Sequence, residues 1–197
     1  MTERLTAFLA DKGLQLRRLD DDHYVNFFDC GRDEDMNQWF VTKAMKWQDE
    51  DMCAVWVLSP ANDAETVLGF FTLSAHQIVP SNVDKKHRAA SNVNKAWVNN
   101  LQQPLPAQLL GKFALNKEYQ GKTWGQILMA CVYAKHVEAA EVAGAKFLVL
   151  DVQENGLAAY YRTRFGFERS SRAGEMAQMY RPTSVIREEL GEVLESP

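Results

Sequence analysis

Alternating and periodic apolar positions divide the first part of the chain into a strand and a helix. Leu14 and Leu16 begin an alternating stretch that is typical of a strand. Residues 33–47 carry apolar side chains at spacings of three and four, from Met36 to Trp47, which predicts an amphipathic helix. Acidic residues open that segment, and negative charge is favourable at the start of a helix.

The rest of the chain continues in the same manner, with one interruption. The pattern predicts strands over residues 52–58, 67–75, 109–116, 146–152 and 175–180, and helices over residues 123–142, 156–164 and 183–194. Residues 80–100 are polar and contain a basic run at 85–88, so we expect a long excursion from the core there. The order of elements predicts an α/β (α+β) fold, with a central mixed sheet flanked by helices on both faces.

Length and composition restrict the class of protein. The chain has 197 residues, which suits one domain; we expect it over residues 1–182, with a helical tail over 183–197. No apolar run reaches the roughly 18 residues of a membrane span, and the N-terminus lacks the apolar region of a signal peptide. We therefore expect a cytoplasmic protein that makes no membrane contact.

Cysteine, histidine and charge narrow the chemistry further. The three cysteines, Cys30, Cys53 and Cys131, are far apart and unpaired in spacing, so neither a disulfide framework nor a zinc site is expected. The histidines show no ligand spacing either, and we expect no metal. The net charge of −4 argues against a general nucleic-acid coat, although it leaves a local basic patch open.

The strongest chemical signal is a turn between a predicted strand and a predicted helix. It reads Gln120-Gly121-Lys122-Thr123-Trp124-Gly125. A glycine-containing turn that enters a helix presents several backbone N–H groups and the positive end of the helix dipole to an anion such as a pyrophosphate. The spacing differs from the Walker and dinucleotide-binding patterns. An ordinary tight turn is the alternative for this segment taken alone.

The turn resembles the pyrophosphate loop of GNAT acetyltransferases, Gln/Arg-x-x-Gly-x-Gly/Ala, with Thr123 in place of the middle glycine. The downstream half of the chain is also similar to that family, since it carries Asn155-Gly156-Leu157-Ala158, then Tyr160-Tyr161, then Phe165-Gly166-Phe167. The resemblance implies a mostly antiparallel sheet and acetyl-CoA as co-substrate. It implies that acetyl-CoA is bound by Phe113, Ala114, Leu115, Gln120, Gly121, Lys122, Thr123, Trp124, Gly125 and Asn155.

Upstream segments narrow the resemblance. Phe28-Asp29-Cys30-Gly31, the strand of residues 69–75 and the segment 105–115 look like a subgroup of bacterial GNAT toxins. Members of that subgroup acetylate the α-amine of aminoacyl-tRNA and are silenced by an antitoxin. The resemblance therefore implies aminoacyl-tRNA and an antitoxin protein as partners, and a homodimer, because the family often dimerises. Lys112 stands where the subgroup has arginine.

The resemblance also implies how the reaction is catalysed. A backbone N–H near Leu115 would polarise the thioester, and a tyrosine hydroxyl would protonate the leaving thiolate. Tyr161 is our first candidate for this acid and Tyr160 the second. Counting back from Gly166 puts the family's tyrosine position on Arg162, whereas counting forward from the preceding strand puts it on Tyr161.

The acceptor amine needs less assistance. An α-amine has a pKa near ~8, so part of it is already neutral at pH 7 and no strong base is required. Glu118 and Asp151 could act as bases through water, or could be a turn residue and a strand-end residue.

Two other functions stay open at this point. One is an acetyltransferase for a small-molecule or protein amine, which a closed polar pocket would favour over an open basic groove. The other is a non-catalytic CoA-binding or protein-binding module on a GNAT scaffold. The arginines downstream of the tyrosines form either a solvated face or a patch that follows tRNA phosphates; they are Arg162, Arg164, Arg169, Arg172 and Arg181.

Overall fold

A computed structural model describes residues 2–31, 33–88, 103–121, 123–153, 156–172 and 174–195. Lys122, Asn155 and residues 89–100 of the expected polar excursion lie outside the described residues. The helices are α1 (Thr2–Asp11), α2 (Glu34–Asp49), α3 (Lys85–Arg88), α4 (Trp124–Ala143), α5 (Leu157–Phe165) and α6 (Thr183–Glu195). The strands are β1 (Leu14–Arg18), β2 (Ala54–Pro60), β3 (Gly69–Ile78), β4 (Leu105–Leu115), β5 (Phe147–Gln153), β6 (Glu168–Arg169) and β7 (Met176–Pro182). Among the described residues no helix is long and apolar enough to cross a membrane.

The described strands form one seven-stranded sheet in the order β1-β2-β3-β4-β5-β7-β6. Strands β4 and β5 pair in parallel, and the other neighbouring pairs are antiparallel. This confirms the predicted mixed, mostly antiparallel sheet. The parallel pair lies near the middle of the sheet, with α4 as its connection, as a parallel crossover requires.

Both faces of the sheet are covered, and the alternation along β5 separates them. Leu148 and Leu150 belong to a core that they share with residues of α1, α4 and α6; we call this side the α4 face. Phe147 and Val149 point to the opposite side, which we call the α2 face because α2 buries Trp39 there against β2 and β3. The predicted helices on both faces are therefore confirmed.

The two ends of the chain pack together on the α4 face. Helix α1, which the hydrophobic pattern left unpredicted, buries Leu5 and Leu9 there. Helix α6 follows β7 directly and buries Ile186 and Leu190 in the same core. The expected helical tail is thus a packed element over its described length.

A buried polar chain joins the sheet to α4 and α6. The imidazole of His136 lies 2.7 Å from Gln108 Oε1 and 2.8 Å from Thr183 Oγ1. The Thr183 hydroxyl donates to the carbonyl of Ala145 at 2.6 Å. Burial lowers the pKa of His136 to about 4, because a charged imidazole would lose its hydration there.

Candidate active site

Strands β4 and β5 run together for only a short distance and then diverge. Their pairing extends from Ala107 opposite Phe147 to Leu109 opposite Val149, although β4 continues to Leu115 and β5 to Gln153. The gap between the diverging halves is part of a cavity of about 870 Å³. A volume of this order accommodates a small molecule or an extended cofactor arm.

A β-bulge marks the point of divergence. Thr72 of β3 pairs with Lys112, whereas its neighbour Leu73 pairs with Leu110, so Gly111 is an extra residue in β4. The backbone N–H of Lys112 donates to Thr72 Oγ1 at 2.9 Å. A Cβ atom at Gly111 would lie 3.1 Å from the same oxygen, which is a tight contact. Glycine therefore lets the strand bend here without displacing Thr72.

Beyond the bulge, β4 offers free backbone groups to the gap. The N–H groups of Lys112 and Asn116 point towards β3, since they donate to Thr72 Oγ1 and to the carbonyl of Leu68. Successive residues of a strand alternate in direction, so Phe113 directs its N–H and C=O groups, and Leu115 its N–H group, into the gap. The Leu115 carbonyl is already occupied, because it accepts a hydrogen bond from Gln120 Nε2. An extended ligand with amide groups could pair with this edge.

The predicted anion-binding turn lies at the end of the same strand. Gly121 has a φ of +73°, a conformation that favours glycine. Helix α4 begins at Trp124, after Thr123, whose side chain makes no capping hydrogen bond. The first N–H groups of a helix have no partner within the helix, so this end of α4 can bind an anion beside Gly125, which also lines the cavity.

Gln120 has a structural function at this turn. Its amide Nε2 donates to the carbonyls of Cys30 and Leu115, both at 2.9 Å. The side chain thereby joins the turn, the end of β4 and the loop before α2. The resemblance to the pyrophosphate loop implied that Gln120 binds the cofactor. It did not predict this structural role, which depends on a contact with a residue 90 positions away in the chain.

The loop before α2 closes one wall of the cavity. Asp29 Oδ1 accepts from the backbone N–H of Gly31 at 2.7 Å, and Asp29 Oδ2 lies 2.7 Å from Lys117 Nζ. The hydrogen bond from Lys117 lowers the pKa of the Asp29 carboxyl group. Cys30 lines the cavity beside it, and burial raises the pKa of its thiol.

Helix α5 settles which side chains face the cavity. Leu157, Tyr160, Tyr161 and Arg164 line it, and their spacing of three, four and seven residues describes one helix face. Arg162 is exposed and is not among the lining residues. Two tyrosines therefore face the gap and Arg162 does not, while the assignment of the acid to Tyr161 or Tyr160 stays a prediction.

The two tyrosines occupy different ends of the site. The hydroxyl of Tyr160, which is about half-exposed, would lie 3.6 Å from a Cβ atom at Gly125, next to the anion-binding turn. The ring of Tyr161 is buried, 6.4 Å from that of Phe113 in the diverging half of β4. Burial raises the pKa of Tyr161, and its hydroxyl makes no hydrogen bond with the residues that the structure describes.

The α2 face of the cavity is different in character, because carboxylates line it. Asp33, Asp35 and Asp151 are among the lining residues. Asp33 also caps α2, since Asp33 Oδ1 accepts from the backbone N–H of Met36 at 2.9 Å. Asp151 Oδ1 lies 3.4 Å from Nη1 of Arg172. This side can attract a cation.

The five downstream arginines do not form one patch. Arg181 is buried: its Nη1 donates to Tyr133 Oη at 2.6 Å, and its guanidinium pairs with Glu189. Arg162 and Arg164 are exposed on α5, and Arg172 is exposed beside Asp151. Arg181 therefore stabilises the packing of β7 on α4 and α6 and is excluded from any surface that binds a ligand.

Comparison with known proteins supports the fold. No protein-family model matches the chain, and no curated protein matches it. A structure of a tyrosine-to-phenylalanine mutant of KacT matches with a TM-score of 0.75 and 22% identity, over 90% of this chain and 99% of that one.

Two structures of a second protein match similarly. AtaT complexed with acetyl-methionyl-tRNAfMet has a TM-score of 0.75 and 21% identity, over 89% of this chain and 98% of that one. AtaTR bound with acetyl-CoA has a TM-score of 0.70 and 23% identity, over 90% and 98%. At such identities the likeness establishes the fold, and it confirms the GNAT-like architecture predicted from the sequence.

Proposed function

We propose that this chain is an acetyl-CoA-dependent N-acetyltransferase whose favoured acceptor is the α-amine of aminoacyl-tRNA. The observation that carries the proposal is the gap between the diverging halves of β4 and β5, which has an anion-binding turn at one end and two tyrosines on one side. Structures with the same fold are complexes with acetyl-CoA and with acetyl-methionyl-tRNA, which supports both ligands.

The cofactor fits the gap in one direction. Its pyrophosphate binds the N–H groups at the start of α4, beside Gly121 and Gly125, because that helix end attracts anions. Its pantetheine arm runs back along β4 and pairs with Phe113 and Leu115. The thioester then lies near the bulge at Gly111, where the strands meet. The proposed binding set is completed by Lys122, Thr123, Trp124, Ala114 and Asn155. Gln120 supports this set by holding the turn in place through its hydrogen bonds.

The proposed chemistry is direct transfer. The amine nitrogen attacks the thioester carbon, a C–N bond forms, and the C–S bond breaks. A backbone N–H at the β4 edge polarises the carbonyl oxygen. With the thioester near the bulge, this donor lies closer to Phe113 than to Leu115, where the resemblance had placed it. Tyr161 donates a proton to the departing thiolate. A tyrosine hydroxyl is protonated at neutral pH, and the ring of Tyr161 lies beside Phe113 at the thioester end. Tyr160, at the phosphate end, is the second candidate.

The tRNA acceptor has support on the surface. Arg164 is exposed and lines the cavity, and Arg172 is exposed beside the lining residue Asp151. Arg162 is exposed on the same helix as Arg164, and such side chains bind phosphates. AtaT has been solved with the C-terminus of the antitoxin AtaR, which supports a toxin role with an antitoxin partner. A cytoplasmic location and a homodimer belong to the same proposal; the free cysteines Cys30, Cys53 and Cys131 fit a reducing compartment.

A small cationic amine is the second candidate acceptor. The observation that favours it is the group of carboxylates on the α2 face of the cavity, Asp33, Asp35 and Asp151. These would attract an ammonium group and repel a phosphate. A chain that prefers such a molecule would acetylate it whether or not tRNA is present.

Transfer of labelled acetyl from acetyl-CoA to a total charged-tRNA pool tests the proposal. We expect label on tRNA that depends on charging, with uncharged tRNA as the control. Label found only on small amines or on proteins would show that one of these, and not aminoacyl-tRNA, is the acceptor. A chain that binds neither acetyl-CoA nor label would be a non-catalytic module on this scaffold, and the proposal would be wrong.

A further inference from the structure

We infer that Asp151 is a catalytic residue on the acceptor side of the cavity, where it binds the acceptor amine and takes its proton. The inference rests on the proposed acetyl transfer and adds a residue that this reaction does not by itself require. It follows from the position of Asp151 in the sheet, from the face on which its side chain lies, and from its partner Arg172.

The register of the parallel pair puts Asp151 at the point where the strands part. Leu109 pairs with Val149, so extending the same register by two positions brings Asp151 opposite the bulge at Gly111. It is therefore the first ionisable residue of β5 beyond the pairing, and it lines the cavity. In the proposed binding mode the thioester lies at this same end of the gap.

The alternation along β5 puts Asp151 on the α2 face. Leu150 and Val152 are buried in the α4-face core, so the residue between them points to the other side of the sheet. Tyr161 belongs to the α4-face core. The proposed proton donor and the proposed proton acceptor thus lie on opposite sides of the gap. This separation suits a reaction in which the amine enters from one side and the thiolate leaves from the other.

Asp151 is also the carboxylate that is best held for this function. Arg172 Nη1 lies 3.4 Å from its Oδ1, and the backbone N–H of Arg172 donates to Ser170 Oγ at 3.1 Å. Ser170 is buried, so Arg172 is a positioning residue attached to a fixed point. By contrast, Asp33 is engaged in capping α2, and Glu118 does not line the cavity.

The proton balance is complete with groups in the chain. A neutral amine attacks the thioester carbon, and its nitrogen becomes positively charged and acidic in the tetrahedral adduct. Asp151 accepts that proton. The adduct expels the thiolate, which takes a proton from Tyr161, and both side chains then exchange protons with water. The Asp151 side chain is 27% exposed, so it retains a path to solvent.

Two substitutions at this position test the role against a matched control. We expect Asp151→Asn to lower kcat for acetyl transfer by about 10²-fold, the lower range for a positioned acid or base, while the Kd for acetyl-CoA changes less than about twofold. Glu34→Gln removes a nearby carboxylate that is exposed on α2 and does not line the cavity, and it should lower kcat by less than about threefold, because an exposed charge acts only through the general field.

Chemical rescue separates a catalytic role from a structural one. Formate is a carboxylate small enough to enter the space left by Asp151→Ala, so it should raise the kcat of that variant by at least about tenfold. It should leave the kcat of Asp151→Asn unchanged. Equal losses of kcat in Asp151→Asn and Glu34→Gln, or an Asp151→Ala variant that formate does not rescue, would overturn this inference and leave the proposed function standing. A wild-type chain that acetylates no amine would overturn the proposed function as well.

Discussion

The two halves of β4 belong to one strand and differ in what they bind. The first half, residues 105–109, pairs with β3 on one side and with β5 on the other, and its Gln108 reaches the buried His136. The second half, residues 110–115, pairs with β3 alone. One extra residue, Gly111, lies at the beginning of the second half. A single bulge therefore converts a structural strand into an edge that can bind a ligand.

The second half should be the more sensitive to a small chemical change. Tyr161→Phe removes the proposed proton donor beside Phe113 while retaining the ring in its aromatic cluster. We expect kcat for acetyl transfer to fall by about 10²-fold or more, with little change in thermal stability. Tyr160→Phe is the matched control, and it should lower kcat by less than about tenfold because its hydroxyl lies at the phosphate end. A larger loss of kcat in Tyr160→Phe than in Tyr161→Phe would make Tyr160 the proton donor instead.

The first half should be sensitive to pH through its contact with His136. The pKa of that imidazole is about 4 in the folded chain and about 6.5 in an unfolded one. Below pH 6.5 the imidazole of His136 is protonated in the unfolded chain but stays neutral in the folded chain. The free energy of unfolding therefore falls as the pH falls. The total loss between pH 6.5 and 4 should be about 3 kcal/mol.

Denaturant titrations across that range measure the effect. A His136→Gln variant should lack this component of the pH dependence, although it will be less stable at pH 7. A wild-type chain and a variant with parallel pH profiles would show that His136 does not titrate with folding.

The bulge itself should respond more weakly. Thr72→Val removes the oxygen that accepts the N–H of Lys112 and keeps the side-chain shape, so the free energy of unfolding should fall by about 1–2 kcal/mol. We also expect a higher KM for acetyl-CoA, because the edge beyond the bulge is less well fixed. Thr42→Val, on the exposed part of α2, should change stability by less than about 0.5 kcal/mol.

The last expected effect concerns Gln120, whose side chain holds the end of β4 to the turn before α4. Gln120→Ala removes the hydrogen bonds to Cys30 and Leu115, and the turn before α4 loses its fixed position. We expect the Kd for acetyl-CoA to rise by about tenfold, or ~1.4 kcal/mol, at nearly constant kcat. Isothermal titration measures this, with Gln38→Ala on the surface of α2 as the control. An unchanged Kd would argue that the turn holds its shape without Gln120.

Local patterns predicted the elements whose signals are local. The apolar spacing from Met36 onward and the acidic residues at the start of the segment predicted helix α2, and the glycine-containing turn predicted the start of α4. That Asp33 caps α2 was seen only in the structure. Helix α1 was missed, although Leu5, Phe8 and Leu9 carry the required spacing. Strand β4 begins at Leu105, four residues before its predicted start. The pattern missed these residues because Pro106 is unusual within a strand.

The features of the site that the sequence left undetermined depend on long-range contacts. Three such features are the divergence of β4 and β5, the bulge opposite Thr72 and the hydrogen bonds of Gln120. Each depends on residues that are far apart in the chain. Arg181 illustrates the same limit, since the basic pattern grouped it with surface arginines, whereas Tyr133 and Glu189 hold it in the interior. No periodicity encodes such pairings.

Hydrogen–deuterium exchange of the backbone amides with and without acetyl-CoA tests the central claim most directly. If the second half of β4 is the binding edge, the N–H groups of Phe113 and Leu115 and those at the start of α4 should become protected when acetyl-CoA is added. The amides of residues 107–109 should keep their rates, since they already pair within the sheet. Binding of acetyl-CoA that leaves Phe113 and Leu115 unprotected would contradict the account.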